Sequence, residues 1–164
     1  MGKSSLLNAL AGRKIAKVSG TPGKTRMLNV FEMDAYYLLD LPGYGYARAS
    51  QTDRRAFRLL IRHALERPAL AGVVWLLDIR RDPSEEDQAM QDLFAERGTR
   101  VLAAVTKSDT LGRAEKPPRE RELRHALALD DDQLIVTSAR KNEGIEELRE
   151  AIRGLVAPSE NGTA

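Results

Sequence analysis

The first residues of the chain restrict what it can fold into more than any other feature. Met1 is followed by Gly2-Lys3-Ser4-Ser5, the closing part of a phosphate-binding loop with the pattern G-x-x-x-x-G-K-[ST]. Such a loop connects the end of a buried strand to the start of a helix. The strand and the opening loop positions are absent here. We therefore expect an α/β fold that lacks its first, central strand and the start of its phosphate loop.

Composition sets the class of protein. With 164 residues, of which 42% are hydrophobic and 30% charged, the chain fits one globular domain. The net charge is only +2, so contact with nucleic acid requires a local basic patch. The absence of cysteine excludes disulfides and cysteine-ligated zinc. No apolar stretch approaches the roughly 20 residues that span a bilayer, and we expect a monomeric, cytoplasmic protein.

Helical and extended patterns alternate along the chain, which is typical of three-layer α/β proteins with a mostly parallel sheet. The sequence predicts a domain over residues 1–157 and a flexible tail over 158–164. The predicted helices cover 4–11, 52–67, a segment opening at 83–86, a segment that follows Pro117-Pro118 and reaches about residue 128, and 143–156. The predicted strands cover 27–33, 36–40, 72–78, 100–106 and 134–138, the first two as an antiparallel hairpin.

Two motifs are suited to phosphates. Gly2-Lys3-Ser4 opens a helix, so its backbone N–H groups and the lysine can face phosphates, and the Ser4 hydroxyl can reach magnesium. Asp40-Leu41-Pro42-Gly43 follows a strand, where the aspartate can hold a magnesium-bound water and the glycine amide can meet a γ-phosphate. Taken alone, the second motif also fits a strand that ends in a Pro-Gly turn.

Two further motifs are suited to a guanine base. Thr106-Lys107-Ser108-Asp109 ends the predicted strand over 100–106, and its carboxylate can accept both the N1–H and the exocyclic amine of guanine. Thr137-Ser138-Ala139 ends the last strand, where small residues let backbone amides approach the base. A polar loop and a strand-to-helix turn are the alternatives for these motifs. The order of all four, each beside a strand end, predicts a guanine-nucleotide-binding Ras-like G domain.

Two longer stretches resemble a known family. The run S-G-T-P-G-K-T-R over Ser19–Arg26 and the run Y-L-L-D-L-P-G-Y-G-Y-A over Tyr37–Ala47 are similar to those of the EngB group of bacterial ribosome-biogenesis GTPases. The resemblance extends from residue 2 to about residue 156. G domains of the Era and TrmE type are the nearest alternative.

The resemblance implies roles for individual residues. Lys3, Thr25 and Gly43 would act in catalysis, and magnesium would be held by Ser4, Thr25 and Asp40. The phosphate loop and the first switch would comprise Gly2, Lys3, Ser4, Ser5, Gly20, Thr21, Pro22, Gly23, Lys24 and Thr25. The second switch would comprise Asp40, Leu41, Pro42 and Gly43. The base would be bound by Thr106, Lys107, Ser108, Asp109, Thr137, Ser138 and Ala139.

The resemblance also implies GTP hydrolysis in assembly of the large ribosomal subunit, with a link to cell division and septation. Tyr44 stands where many GTPases carry a water-orienting glutamine, which predicts slow intrinsic hydrolysis. The resemblance further implies a K⁺ ion beside the phosphates, bound in the family by a loop asparagine that this sequence does not include. The family has valine where Met1 stands, and a GTG codon can start translation, so we expect a start assigned inside a longer gene. Without the central strand, we expect the chain not to fold stably alone.

A basic stripe on the second predicted helix points to a partner. Arg54, Arg58 and Arg62 recur every four residues on one helix face, which suits ribosomal RNA or equally a solvated surface. Two other functions stay open. One is a nucleotide-free remnant that binds ribosomes through the stripe, and the other is an ATP-using P-loop enzyme, which Asp109 disfavours.

Overall fold

The structure, a computed structural model, describes residues 2–15, 29–41, 43 and 50–158. The chain divides into two compact units. The sheet unit comprises Met1–Val18, Ala71–Pro83 and Arg100–Ala164, and the hairpin unit comprises Ser19–Leu70 and Ser84–Thr99. The predicted tail lies almost entirely outside the described residues, as does the segment from residue 16 to residue 28.

The predicted alternation of helices and strands is confirmed, with bounds that differ by a few residues. The helices are α1 (Lys3–Ala11), α2 (Gln51–Leu65), α3 (Glu85–Arg97), α4 (Lys116–Ala126) and α5 (Ile145–Val156). The strands are β1 (Asn29–Glu32), β2 (Tyr37–Asp40), β3 (Val73–Asp78), β4 (Val101–Thr106) and β5 (Leu134–Val136). α4 begins before Pro117 and Pro118 rather than after them, because prolines in a first turn sacrifice no helical hydrogen bond.

The sheet unit contains a parallel sheet in the order β3-β4-β5. Every residue of β4 is buried, which agrees with its central place between two strands. α5 packs against both β4 and α1, and α4 packs against β5. The continuous apolar run over 72–78 is typical of a strand covered on both faces, and β3 meets this expectation only in part. Trp75 and Leu77 are buried, whereas Val74 and Leu76, which point to the opposite face, are half-buried, so that face is covered less completely among the described residues.

The hairpin unit contains the predicted antiparallel pair. Val30 lies opposite Leu39 in the β1-β2 register, and this two-stranded sheet is separate from the parallel one in the part of the chain that the structure describes. Both helices of the unit begin with a capping box, Ser50 with Asp53 in α2 and Ser84 with Asp87 in α3, which satisfies first-turn N–H groups. None of the described helices is long and apolar enough to cross a membrane.

Candidate nucleotide-binding site

The start of α1 offers hydrogen-bond donors to an anion. Gly2 precedes the helix without a side-chain cap, and the N–H groups of a first turn have no partner inside their helix. These groups and the helix dipole attract negative charge. A Cβ placed on Gly2 would lie 3.7 Å from the Thr106 Oγ1 atom. The start of α1 and the carboxyl end of β4 are therefore neighbours within the sheet unit.

An arginine of α5 holds the other end of this helix. The Arg149 guanidinium donates from Nε to the Leu10 carbonyl oxygen at 2.9 Å and from Nη2 to the Ala9 carbonyl oxygen at 2.6 Å. These carbonyls belong to the last turn of α1, where helical partners run out and a cation is favoured. Arg149 thus fixes the helix that carries Lys3, Ser4 and Ser5.

At the end of β4, the main chain changes direction at Lys107. Its φ is 63°, in the left-handed region that a residue other than glycine seldom adopts. The preceding Thr106 donates from Oγ1 to the Leu77 carbonyl oxygen at 3.1 Å, which ties β4 to β3. The Lys107 ammonium lies 3.0 Å from the Asp78 carboxylate. Its direction is therefore set by the carboxyl end of the neighbouring strand.

Asp78 is held in its ionised form. Burial alone would raise its pKa, but the hydrogen bonds from Arg80 and Lys107 outweigh that effect and hold the pKa of Asp78 well below its ordinary value. Arg80 donates to both carboxylate oxygens, at 3.0 and 2.8 Å. A fixed negative charge thus faces Lys107 at neutral pH.

Asp109, the predicted base-reading residue, is hydrogen-bonded to the other base motif. The Ser138 hydroxyl donates to Asp109 Oδ1 at 2.7 Å, and this bond, aided by the charges of Arg140 and Lys141, lowers the pKa of Asp109. The Asp109 side chain is 12% exposed, and Arg140 Nη1 lies 4.0 Å from its Oδ2. A carboxylate oxygen has more than one acceptor site, so both oxygens retain capacity for a ligand.

Main-chain and side-chain bonds join the two base motifs. The Ser108 N–H donates to the Thr137 carbonyl oxygen at 3.1 Å, and Thr137 Oγ1 donates to the Val105 carbonyl oxygen at 3.1 Å. Ser108, Thr137 and Ser138 are fully buried, whereas Ala139 is half-buried. The structure therefore brings together the predicted residues of both motifs at the carboxyl ends of β4 and β5.

Other predicted site residues belong to the hairpin unit. Asp40 ends β2 opposite Asn29 in the hairpin unit, Leu41 follows it half-buried, and Gly43 is exposed. Part of the predicted site lies outside the described residues. It comprises Gly20, Thr21, Pro22, Gly23, Lys24, Thr25 and Pro42.

Sequence reasoning missed several residues of this region. Asp78 follows the same rule as the predicted motifs, since it is a polar residue at the carboxyl end of a parallel strand, and could have been found that way. Glu143, Lys116 and Arg149 carry no comparable signal, because nothing in their local pattern separates them from surface charges.

The donor chemistry of the site suits magnesium bound together with a nucleotide. Among the described residues no group of three or more His, Asp or Glu side chains could hold a metal. Magnesium in phosphate sites takes one or two protein oxygens and completes its shell with phosphates and water. Within the sheet unit, the Ser4 hydroxyl at the start of α1 is a hard oxygen donor of that kind.

Comparison with known proteins agrees with this geometry. Residues 1–107 match a family described as 50S ribosome-binding GTPase. The probable GTP-binding protein EngB of Gemmatimonas aurantiaca is 45% identical over 160 residues, which cover 96% of this chain and 78% of that protein. The protein of the same name from Syntrophus aciditrophicus is 44% identical over 156 residues, which cover 93% and 79%.

Solved structures share the fold. A crystal structure of a probable GTP-binding protein engB superposes with a TM-score of 0.76 at 22% identity, covering 94% of this chain and 92% of that chain. Aquifex aeolicus Era bound to GDP·AlF4⁻ gives 0.75 at 24% identity, covering 99% and 56%. These likenesses confirm the predicted Ras-like G-domain fold, which EngB and Era share. Sequence identity of 44–45% to relatives that are matched over more than nine-tenths of this chain shows the family as well as the fold. The chain belongs to the EngB family of GTP-binding proteins.

Proposed function

We propose that the chain binds GTP and GDP, reading the base with Asp109 and the phosphates with the start of α1, and that it hydrolyses GTP slowly. Membership of a GTPase family supports the activity in general. The observation that carries the assignment to these residues is the Ser138 to Asp109 hydrogen bond of 2.7 Å. Through this bond, a residue of the motif Thr137-Ser138-Ala139 orients the ionised carboxylate of Asp109.

Asp109 supplies the selectivity for guanine. Its ionised carboxylate accepts hydrogen bonds from the N1–H and the exocyclic amine of guanine, and adenine has no such pair of donors. The lowered pKa of Asp109 keeps the acceptor charged at neutral pH. Lys107, held by Asp78, borders the base, and Ala139 offers a small surface beside it.

Lys3 and the N–H groups of the first turn of α1, including that of Ser5, bind the phosphates. Ser4, Asp40 and Thr25 would hold magnesium, which supplies neutralisation of negative charge on the phosphates. Gly20 to Arg26 would act as the first switch, and the Gly43 amide would meet the γ-phosphate. A comparison of hydrolysis rates in potassium and in sodium tests whether K⁺ contributes as well.

Nucleotide binding by wild type and Asp109→Asn tests the assignment. The wild type should bind GDP at least a hundredfold more tightly than ADP, because two hydrogen bonds to a charged group are each worth about 1.5–3 kcal/mol. Asparagine presents an amide donor where aspartate presents only acceptors. The variant should therefore lose affinity for GDP and gain affinity for XDP, whose base carries an oxygen in place of the exocyclic amine. Equal affinity of the wild type for GDP and ADP would refute the proposal.

Slow hydrolysis is proposed from Tyr44, which lies outside the described residues and cannot orient water as glutamine does. Single-turnover rates in potassium and in sodium, with and without 50S particles, test this part. We expect acceleration by the particles. Equal rates in every arm would contradict the idea that a ribosomal surface completes the site.

We propose further that the protein acts in the cytoplasm during assembly of the large ribosomal subunit, and through it in cell division and septation. The family description supports this role, and α2 offers a surface suited to RNA. Arg54, Arg58 and Arg62 are exposed, whereas Ile61 and Ala64 are the buried residues of the helix. A distant, weak pair joins Arg54 to Glu86 at 3.8 Å.

Charge reversal on α2 tests the RNA contact. Arg58→Glu with Arg62→Glu should weaken 50S association and reduce its dependence on salt, since fewer phosphate counterions are released. Arg113→Glu with Arg121→Glu is the matched control, because these exposed arginines carry the same charge outside α2. Equal effects of both pairs would remove α2 as the contact. Full association without any nucleotide would instead favour the nucleotide-free remnant.

A further inference from the structure

We propose that Glu143 is a positioning residue for guanine selectivity, which holds the loop Thr106–Asp109 and the loop Thr137–Ala139 in register so that Asp109 meets the base. We call these segments the first and second base loops. The inference rests on the proposed function, since it concerns how Asp109 performs its role there.

The Glu143 side chain reaches the first base loop. Its Oε2 accepts a hydrogen bond from Ser108 Oγ at 2.8 Å, and Ser108 is fully buried beside Asp109 in sequence. Lys116, the first residue of α4, donates to both carboxylate oxygens at 3.0 and 2.9 Å. A buried hydroxyl bonded to a charged acceptor is costly to leave unpaired. The first base loop is therefore tied to Glu143 and, through it, to α4.

The Glu143 main chain reaches the second base loop. The Ser138 N–H donates to the Glu143 carbonyl oxygen at 2.9 Å, and the Glu143 N–H donates back to the Ser138 carbonyl oxygen at 3.0 Å. Ser138 is the residue whose hydroxyl bonds to Asp109. One residue thus contacts both base loops, by its side chain on one and by its backbone on the other.

The backbone around Glu143 fixes where it can lie. Asn142 and Gly144 both have positive φ, at 53° and 70°, which asparagine and glycine tolerate better than other residues. A Cβ on Gly144 would collide with the Val136 carbonyl oxygen. The turn that presents Glu143 therefore packs directly on the end of β5, so that the glutamate cannot shift without moving the second base loop.

The ratio of GDP affinity to IDP affinity reports whether Asp109 is correctly positioned against the base. IDP lacks the exocyclic amine, so the ratio measures how well the second hydrogen bond to the carboxylate is made. In Glu143→Ala the first base loop loses its hydrogen bond to the Glu143 side chain, and with it the link through this residue to the second base loop. The ratio should then fall by about tenfold, the order of one hydrogen bond to a charged group. Glu143→Gln keeps an oxygen acceptor for Ser108 and should retain most of the ratio.

Two further variants complete the experiment. Ser108→Ala removes the contact between Glu143 and the first base loop with little change in volume, and it should lower the ratio as Glu143→Ala does. Glu147→Ala is the matched control, since it removes an exposed acid from the first turn of α5. Equilibrium titration of each protein with GDP, IDP and ADP gives every number required.

The outcomes separate the two proposals. If the wild type prefers GDP to ADP and the GDP-to-IDP ratio falls in Glu143→Ala and Ser108→Ala but not in Glu147→Ala, the positioning role is supported. If Glu143→Ala weakens GDP and IDP equally, or if Ser108→Ala leaves the ratio unchanged, the role is overturned while the proposed function stands. If the wild type prefers neither base, the proposed function itself fails and the inference falls with it.

Discussion

Replacing Arg149 with alanine should loosen α1, the helix that carries the residues proposed to bind phosphate. Arg149 lies on α5, yet its guanidinium caps the last turn of α1 through the carbonyl oxygens of Ala9 and Leu10. The variant would leave these carbonyls without that donor. We expect a loss of stability and, because α1 presents Lys3 and Ser4, a loss of nucleotide affinity.

The magnitude follows from the two bonds. A hydrogen bond to a charged group contributes about 1.5–3 kcal/mol, and the lower end applies because the Arg149 side chain is 25% exposed and water can reach the site. Two such bonds give about 3 kcal/mol. In a protein of this size, that corresponds to a fall in Tm of about 6–12 °C. The Arg149 to Glu146 pair on the surface adds little.

Denaturant unfolding followed by the fluorescence of Trp75, the single tryptophan of the chain, measures the effect, because this side chain is buried in β3. Arg153→Ala is the control from the next turn of α5. Arg153 lies 3.7 Å from Glu146 and is 56% exposed, so its loss should cost under about 0.5 kcal/mol. Equal losses in the two variants would refute the reasoning.

Further outcomes concern the carboxyl ends of the strands. Asp78→Asn removes the charge that faces Lys107 at 3.0 Å. Calorimetric titration should show that this variant binds GDP about threefold to tenfold more weakly than the wild type. The control Asp82→Asn changes a side chain that is 89% exposed and should leave GDP binding unchanged. Gly144→Ala should lower the free energy of unfolding by more than about 2 kcal/mol, because the added Cβ collides with its surroundings and alanine disfavours a positive φ. The control is Gly12→Ala, where φ is similar at 65° but the surroundings are uncrowded. Equal losses of stability in the two variants would contradict the role of the collision. Lys116 and Ser108 lower the pKa of Glu143 in the folded protein, so its contribution to stability should be complete above its ordinary pKa of 4.5 and be lost progressively as pH falls from there through the lowered pKa of the folded state. The difference in free energy of unfolding between wild type and Glu143→Gln should therefore be smaller at about pH 3.5 than at about pH 7, and a constant difference would contradict the assignment.

Local sequence patterns predicted the elements well and their surroundings less well. Capping residues and prolines act within one turn, so α3 could be placed from Ser84 and the acids after it. The half-burial of Val74 and Leu76 on β3 could not be predicted, because it depends on what packs against that face of the strand. The same limit applies to the separation into two sheets, since pairing between distant strands leaves no local trace.

The sequence by itself determined the family and predicted the kind of ligand, because residue types suited to phosphate and guanine follow particular strands in a particular order along the chain. Only the tertiary structure decided how these residues are held. Lys107 and Asp78 are 29 residues apart, Glu143 and Ser108 are 35 apart, and Arg149 and Leu10 are 139 apart. The local sequence does not distinguish a charged side chain that faces water from one that contacts a buried partner. The role of such a side chain is decided only when folding brings the partner within hydrogen-bonding distance.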